Sequence, residues 1–151
     1  MSLHEIINVR QVLPQLLTGG QPTEAELAAV AAAGTVHVVN LGLLDPAYCL
    51  ADEAGLARQM GMSYRHIPVD FQLPQLTELQ AFAEDMAAHE SESLFVHCAM
   101  NYRASVFTAL FLELDCGWVR TGADALIRDV WEPYGAWPAF IAAARAEWIG
   151  R

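Results

Sequence analysis

The sequence predicts a three-layer α/β fold, with a mostly parallel central sheet flanked by helices. Three observations predict it. Short apolar segments of strand length alternate along the chain with longer runs of good helix formers. Strands joined through helices need crossover connections, which leave neighbouring strands parallel. The central segments, residues 36–41 and 94–97, carry apolar side chains for both faces, as strands covered on both sides do.

Each element has a local reason. Thr23 and Glu26 form a capping box, in which the hydroxyl accepts from the Glu26 amide and the carboxylate reaches back. Residues 27–33 are strong helix formers, and Gly34 is a natural stop. Residues 36–41 then read as a buried strand, and 50–60 as a helix ended by Gly61. Residues 63–69 read as extended, with Pro68 marking the strand end. Thr77 to Gln80 reads as a second capping box, opening a helix to about His89. Residues 94–97 form the next strand, and 104–114 a helix closed by Gly117. Helices over 121–131 and 138–148 finish the chain, with Pro138 suited to a first turn. Gly19-Gly20 is a turn signal, since no Gly-x-Gly-x-x-Gly pattern follows it.

Composition bounds the function. The 151 residues fit one domain over 1–151, and 54% hydrophobic content is enough for a substantial core. Eighteen acidic residues face eight basic ones, a net charge of −10. Every base is an arginine, and the eight are scattered, so no basic stripe exists for nucleic acid or an anionic membrane. No apolar run reaches the roughly 18 residues of a membrane span. Cys49, Cys98 and Cys116 are too few and too widely spaced for a disulfide framework or a zinc pattern. The first residues lack the order of a secretory signal, so a reducing, cytoplasmic setting is expected. The five histidines show no paired metal-ligand spacing, and no metal or organic cofactor is expected.

Ligands of parallel sheets bind beyond the carboxyl ends of the strands. At one such exit the chain runs Leu94-Phe-Val-His-Cys-Ala-Met-Asn-Tyr-Arg-Ala-Ser105. Amides of a short loop entering a helix make an anion cradle, and the helix dipole adds roughly 0.5–2 kcal/mol toward an anion. Ala99, Met100, Asn101 and Tyr102 would supply that loop, and Arg103 a two-pronged grip on a phosphate-type oxyanion. The same field favours thiolate at Cys98, a nucleophile facing its electrophile. His97 is read as support behind the loop, and Cys49 and Cys116 as structural. Trp131, Tyr134 and Trp137 form an aromatic cluster that reads as core or interface.

His-Cys, a short loop, Arg and a helix resemble the signature of cysteine-dependent tyrosine and dual-specificity phosphatases. Those enzymes place five residues between Cys and Arg; this chain has four. Four is the spacing of a phosphatase-like group of bacterial proteins classed as a domain of unknown function. The group includes the phosphatase-like domain of beta-lactamase-hydrolase-like proteins. Leu17-Thr-Gly-Gly-Gln-Pro-Thr-Glu24, Gly34 and Val36-His-Val-Val-Asn-Leu41 resemble its opening segment, so the similarity spans roughly residues 15–115.

The resemblance implies a dual-specificity-phosphatase-like fold and hydrolysis of a phosphorylated substrate through phosphocysteine at Cys98. It implies Asp70 as general acid, from Pro68-Val-Asp-Phe71 followed by a helix and the Cys strand; Asp45 at the neighbouring exit is the alternative. The chain departs from the pattern in three places. Its loop has no glycine, leaving Asn101 as the residue that best tolerates positive φ. Ala104 stands where a hydroxyl assists the leaving thiolate, with Ser105 one further on. Gly42 stands where the related group often has arginine. Two rivals therefore stand beside the phosphatase reading. One is a rhodanese-like sulfurtransferase with a Cys98 persulfide, for which four is a common spacing. The other is a phosphate-binding module without turnover. The residues imply no particular oligomeric state.

Overall fold

A computed structural model describes residues 2–148. Its sheet has five strands: β1 (Arg10–Leu13), β2 (Leu16–Gly19), β3 (His37–Asn40), β4 (Ser63–His66) and β5 (Leu94–His97), in the order β1-β2-β5-β3-β4. Only β1 and β2 pair antiparallel; the other three pairings are parallel. The helices are α1 (Glu24–Ala32), α2 (Glu53–Gln59), α3 (Leu76–Ala88), α4 (Tyr102–Cys116), α5 (Arg120–Val130) and α6 (Trp137–Glu147).

Alternation along the strands builds two apolar layers. Leu16, Val39, Leu94 and Val96 point to one face and pack under α3, α4, α5 and α6. Leu17, Val38 and Phe95 point to the other, with Ile6, Leu27, Val30 and Ala57. Phe82 and Phe107 meet at 5.7 Å in the thicker layer. Burying such a ring fully contributes about 1.5–3 kcal/mol. Helix α4 runs through the middle of that layer, which is why its residues 103–112 are all buried.

Several boundaries differ from the sequence expectation. The β1–β2 hairpin is unannounced, because Pro14-Gln15 is not a favoured two-residue turn signal and Gly19 ends a strand instead of turning it. Helix α3 starts at Leu76, where Glu78 accepts from the Gln75 amide at 2.8 Å; Thr77 lies inside the first turn. Asp52 caps α2, accepting from the Gly55 amide, so that helix opens at Glu53. The helix expected from Ala104 begins at Tyr102. Among the described residues no helix is long and apolar enough to cross a membrane.

Candidate active site

The carboxyl end of β5 delivers His97 and Cys98 directly into the loop that starts α4. Asn101 takes φ 68°, the left-handed turn that brings the chain into the helix. Its amide group donates to the Asn8 carbonyl at 2.7 Å and to Thr18 Oγ1 at 3.1 Å. Asn8 returns a bond to the Met100 carbonyl at 3.0 Å. The N-terminal segment thus holds the loop from below. Gly20 completes the contact: the Gln21 amide donates to the Ala99 carbonyl at 2.9 Å, and a Cβ at Gly20 would come within 2.5 Å of that oxygen.

This anchoring leaves donors spare. Among the described residues no acceptor takes up the amides of Ala99, Met100, Tyr102 or Arg103. They stand at the positive end of α4, a 15-residue helix. Arg103 is buried, and its Nη1 donates to the Val69 carbonyl at 2.7 Å. That bond fixes the guanidinium and leaves Nε buried without a partner. An unmatched buried donor costs about 1–3 kcal/mol, which a bound oxyanion would recover.

Cys98, Ala99, Met100, Tyr102 and Arg103 line one cavity of about 230 Å³ with Phe71 and Tyr134. Cys98 is the most buried of these residues, only 1% exposed. Gly42 flanks it: a Cβ there would stand 3.6 Å from Cys98 Cα. Tyr102 stacks on Trp131 with centroids 4.5 Å apart. Phe71 packs among Trp131, Tyr134 and Trp137, and Trp137 Nε1 donates to the Phe71 carbonyl at 2.8 Å. The aromatic cluster therefore clamps the segment after β4, and Tyr134 alone of the three lines the cavity.

The remaining candidates fall outside the cavity lining. Asn101 is buried beneath the loop. Ser105 donates to the Tyr102 carbonyl at 2.9 Å and accepts from Trp131 Nε1 at 3.1 Å, so its hydroxyl braces the aromatic wall. Asp70 follows Val69, the residue that holds Arg103, but its exposed carboxylate accepts from the Gln72 amide at 2.9 Å. Asp45 closes a turn, accepting from the Ala47 amide at 2.9 Å.

Two residues that the sequence did not single out stand behind the loop. Glu53 Oε2 lies 2.5 Å from His97 Nε2, and Gln21 donates to Glu53 Oε1 at 2.7 Å. The other ring nitrogen of His97 lies 3.1 Å from the Cys98 carbonyl oxygen. Burial alone would raise the Glu53 carboxyl, but hydrogen bonds and charge attraction from His97, with bonds from Gln21 and Tyr64, hold it below its ordinary value. The same burial, with the Glu53 charge, pushes Tyr64 up. An acid in a first helical turn ordinarily reads as a dipole complement, which hid Glu53 in the sequence.

No protein-family model matches the chain, and no curated protein matches it. A protein of Shewanella putrefaciens CN-32, described as a candidate phosphatase of the DUF442 group, is 31% identical over 99% of this chain and 97% of its own, at a TM-score of 0.85. The kinase-associated phosphatase, crystallised with its catalytic-site cysteine replaced by serine, is 14% identical over 87% of this chain and 86% of its own, at 0.76. TpbA of P. aeruginosa, solved in complex with phosphotyrosine, is 17% identical over 85% of this chain and 75% of its own, at 0.67. At such low identity the last two share the fold alone, and that fold is dual-specificity-phosphatase-like.

Proposed function

Because this chain belongs to the DUF442 phosphatase-like family, we propose that it is a cysteine-dependent phosphatase acting on phosphoric monoesters. The observation that carries the reading is that the residues lining one cavity with Cys98 carry backbone amides with no partner among the described residues, together with the buried, unpaired Nε of Arg103. Four amides and one fixed guanidinium suit the equatorial oxygens of a transferring phosphoryl group.

The Cys98 thiolate attacks phosphorus; the S–P bond forms as the ester P–O bond breaks. Asp70 hands its proton to the departing alkoxide. Water then attacks the phosphocysteine, Asp70 takes the water proton, and the S–P bond breaks to release phosphate and thiolate. For this step Asp70 turns from the Gln72 amide toward the cavity. The carbonyls of Val69 and Phe71 on either side are held by Arg103 and Trp137, so the movement this asks for is a rotation of the exposed Asp70 side chain alone. His97 and Glu53 set the Cys98 carbonyl from behind and keep the loop in register. The setting is cytoplasmic, where the thiol stays reduced.

One observation favours binding without turnover: Ser105 is committed to Tyr102 and Trp131, so no neighbouring hydroxyl assists the leaving sulfur. The test separates these readings and the persulfide one. Purified wild type and Cys98→Ser are offered an aryl phosphate and, separately, thiosulfate with cyanide. Phosphate release that Cys98→Ser abolishes supports the phosphatase. Thiocyanate without phosphate release would replace it with sulfur transfer; neither product, with phosphate still bound, would leave a binding module. Asp70→Asn should slow release of poor leaving groups far more than good ones, and equal slowing would remove Asp70 from the acid role.

A further inference from the structure

The opposite end of the sheet carries a second polar cluster, assembled from three elements. His37 opens β3 and is buried; Ser63 opens β4 as its register partner. Asp85 and His89 lie one turn apart at the end of α3, and Glu92 follows in the turn before β5. His37 and Ser63 lie far from the helical pair in sequence, so the full group is not visible as a spacing.

Its geometry is directional. His37 Nδ1 lies 2.6 Å from Ser63 Oγ, and its Nε2 lies 2.7 Å from Asp85 Oδ2. His89 Nδ1 lies 2.6 Å from Glu92 Oε2, and its Nε2 lies 3.8 Å from Asp85 Oδ1. The two rings stack with centroids 3.7 Å apart and planes 12° from parallel. Each Nδ1 is thus held from outside while each Nε2 turns toward one carboxylate. Donor atoms of His37, Asp85 and His89 all lie within 4.8 Å of one another.

A His–Asp pair alone would serve as a buried structural clamp. The second imidazole exceeds that need, because His89 Nε2 makes no hydrogen bond to another described residue and still faces Asp85. Outer partners on both Nδ1 atoms are what orient metal-ligating histidines. The geometry points to a divalent transition-metal site with His37 Nε2, His89 Nε2 and Asp85 as protein ligands, and zinc as the ion it fits. Two imidazoles and one carboxylate suit zinc, whereas magnesium and calcium call for oxygen alone.

Binding replaces the proton between His37 Nε2 and Asp85 with the ion and opens the ring stack, so that each nitrogen reaches about 2.0–2.1 Å from the metal. His89 is the ring able to tilt, since it stands at the C-cap of α3 with its side chain 24% exposed. The ion would tie the starts of β3 and β4 to the end of α3, away from the Cys98 loop at the carboxyl ends of the strands. Three protein ligands leave the fourth position to water.

The test titrates full-length, chelator-stripped protein with zinc, and with cobalt for its visible spectrum. One equivalent should bind, with a four-coordinate cobalt band and a rise in Tm. Asp85→Asn and His89→Ala should each lose the band, and Glu92→Gln should weaken binding by roughly 10–100-fold. Circular dichroism without metal checks each variant's fold. If Asp85→Asn fails to fold, the exposed-side changes His89→Ala and Glu92→Gln still decide the matter. Absence of stoichiometric binding overturns the site. So does zinc held as tightly by His89→Ala and Glu92→Gln as by wild type, which would put the ion on cysteine thiols.

Discussion

The two ends of the sheet each bury a histidine on a carboxylate, and they put the pair to different use. At the carboxyl end, His97 is closed on both sides, by Glu53 and by the Cys98 carbonyl. Nothing is left over, so the pair braces the loop, and the spare donors are the backbone amides above it. At the amino end, His37 and Asp85 face a second ring whose Nε2 has no hydrogen bond among the described residues. In the proposed reading, the first end would offer N–H donors to an anion and the second lone pairs to a cation. One pairing motif positions or binds, according to whether its outer atoms are satisfied.

That contrast can be broken first at its strongest point. Cys98→Ser should lower phosphate release by at least about 10³-fold, while zinc binding at the distal end stays as in wild type. His89→Ala should do the reverse, abolishing zinc binding with the rate of aryl phosphate hydrolysis unchanged. A common loss in both variants would merge the two ends into one site.

The bracing role of the His97–Glu53 pair comes next. Glu53→Ala strands a buried imidazole, which costs about 3–5 kcal/mol and should lower Tm by on the order of 10 °C in a chain of this size. The sign with pH follows from the depressed Glu53 carboxyl. Its contribution is present above its ordinary value of 4.5 and is lost as pH falls through the folded-state value. Thermal scans should therefore show wild type losing stability below that pH, with Glu53→Gln showing a flatter acid limb. Parallel acid limbs would deny Glu53 that part.

Smaller effects are expected at the contacts that hold the loop. Gly20→Ala places a methyl 2.5 Å from the Ala99 carbonyl and 2.8 Å from Ile7 Cβ. It should cost about 1–3 kcal/mol of stability and weaken phosphate binding, both read by titration calorimetry and thermal melts. Unchanged phosphate affinity would show that the loop does not depend on the Gly20 contact. Asn101→Gly keeps the positive φ but loses the bonds to Asn8 and Thr18, a cost of about 1 kcal/mol; Asn101→Ala should be worse, because it adds left-handed strain.

Much of this arrangement is legible along the chain. Alternating helix and strand signals give the parallel core, and the run from Leu94 to Ser105 gives the loop and its arginine. Asn101 is legible because a glycine-free loop must still turn through positive φ, and the structure puts that turn there. What escapes reading is whatever depends on contacts across the fold. Asn8, Gly20 and Gln21 reach the loop only once the N-terminal hairpin lies beside β5. Glu53 looks like an ordinary first-turn acid until α2 packs its carboxylate onto His97. Asp85 and His89 stand four apart on α3, but His37 joins them only when β3 packs against that helix end.

Whether the Cys98–Arg103 loop is an oxyanion cradle is tested most directly by titrating wild type and Arg103→Ala with inorganic phosphate. A single saturable site is predicted, weakened at least about tenfold when the guanidinium is removed. Phosphate that fails to bind, or that binds equally well without Arg103, would contradict it.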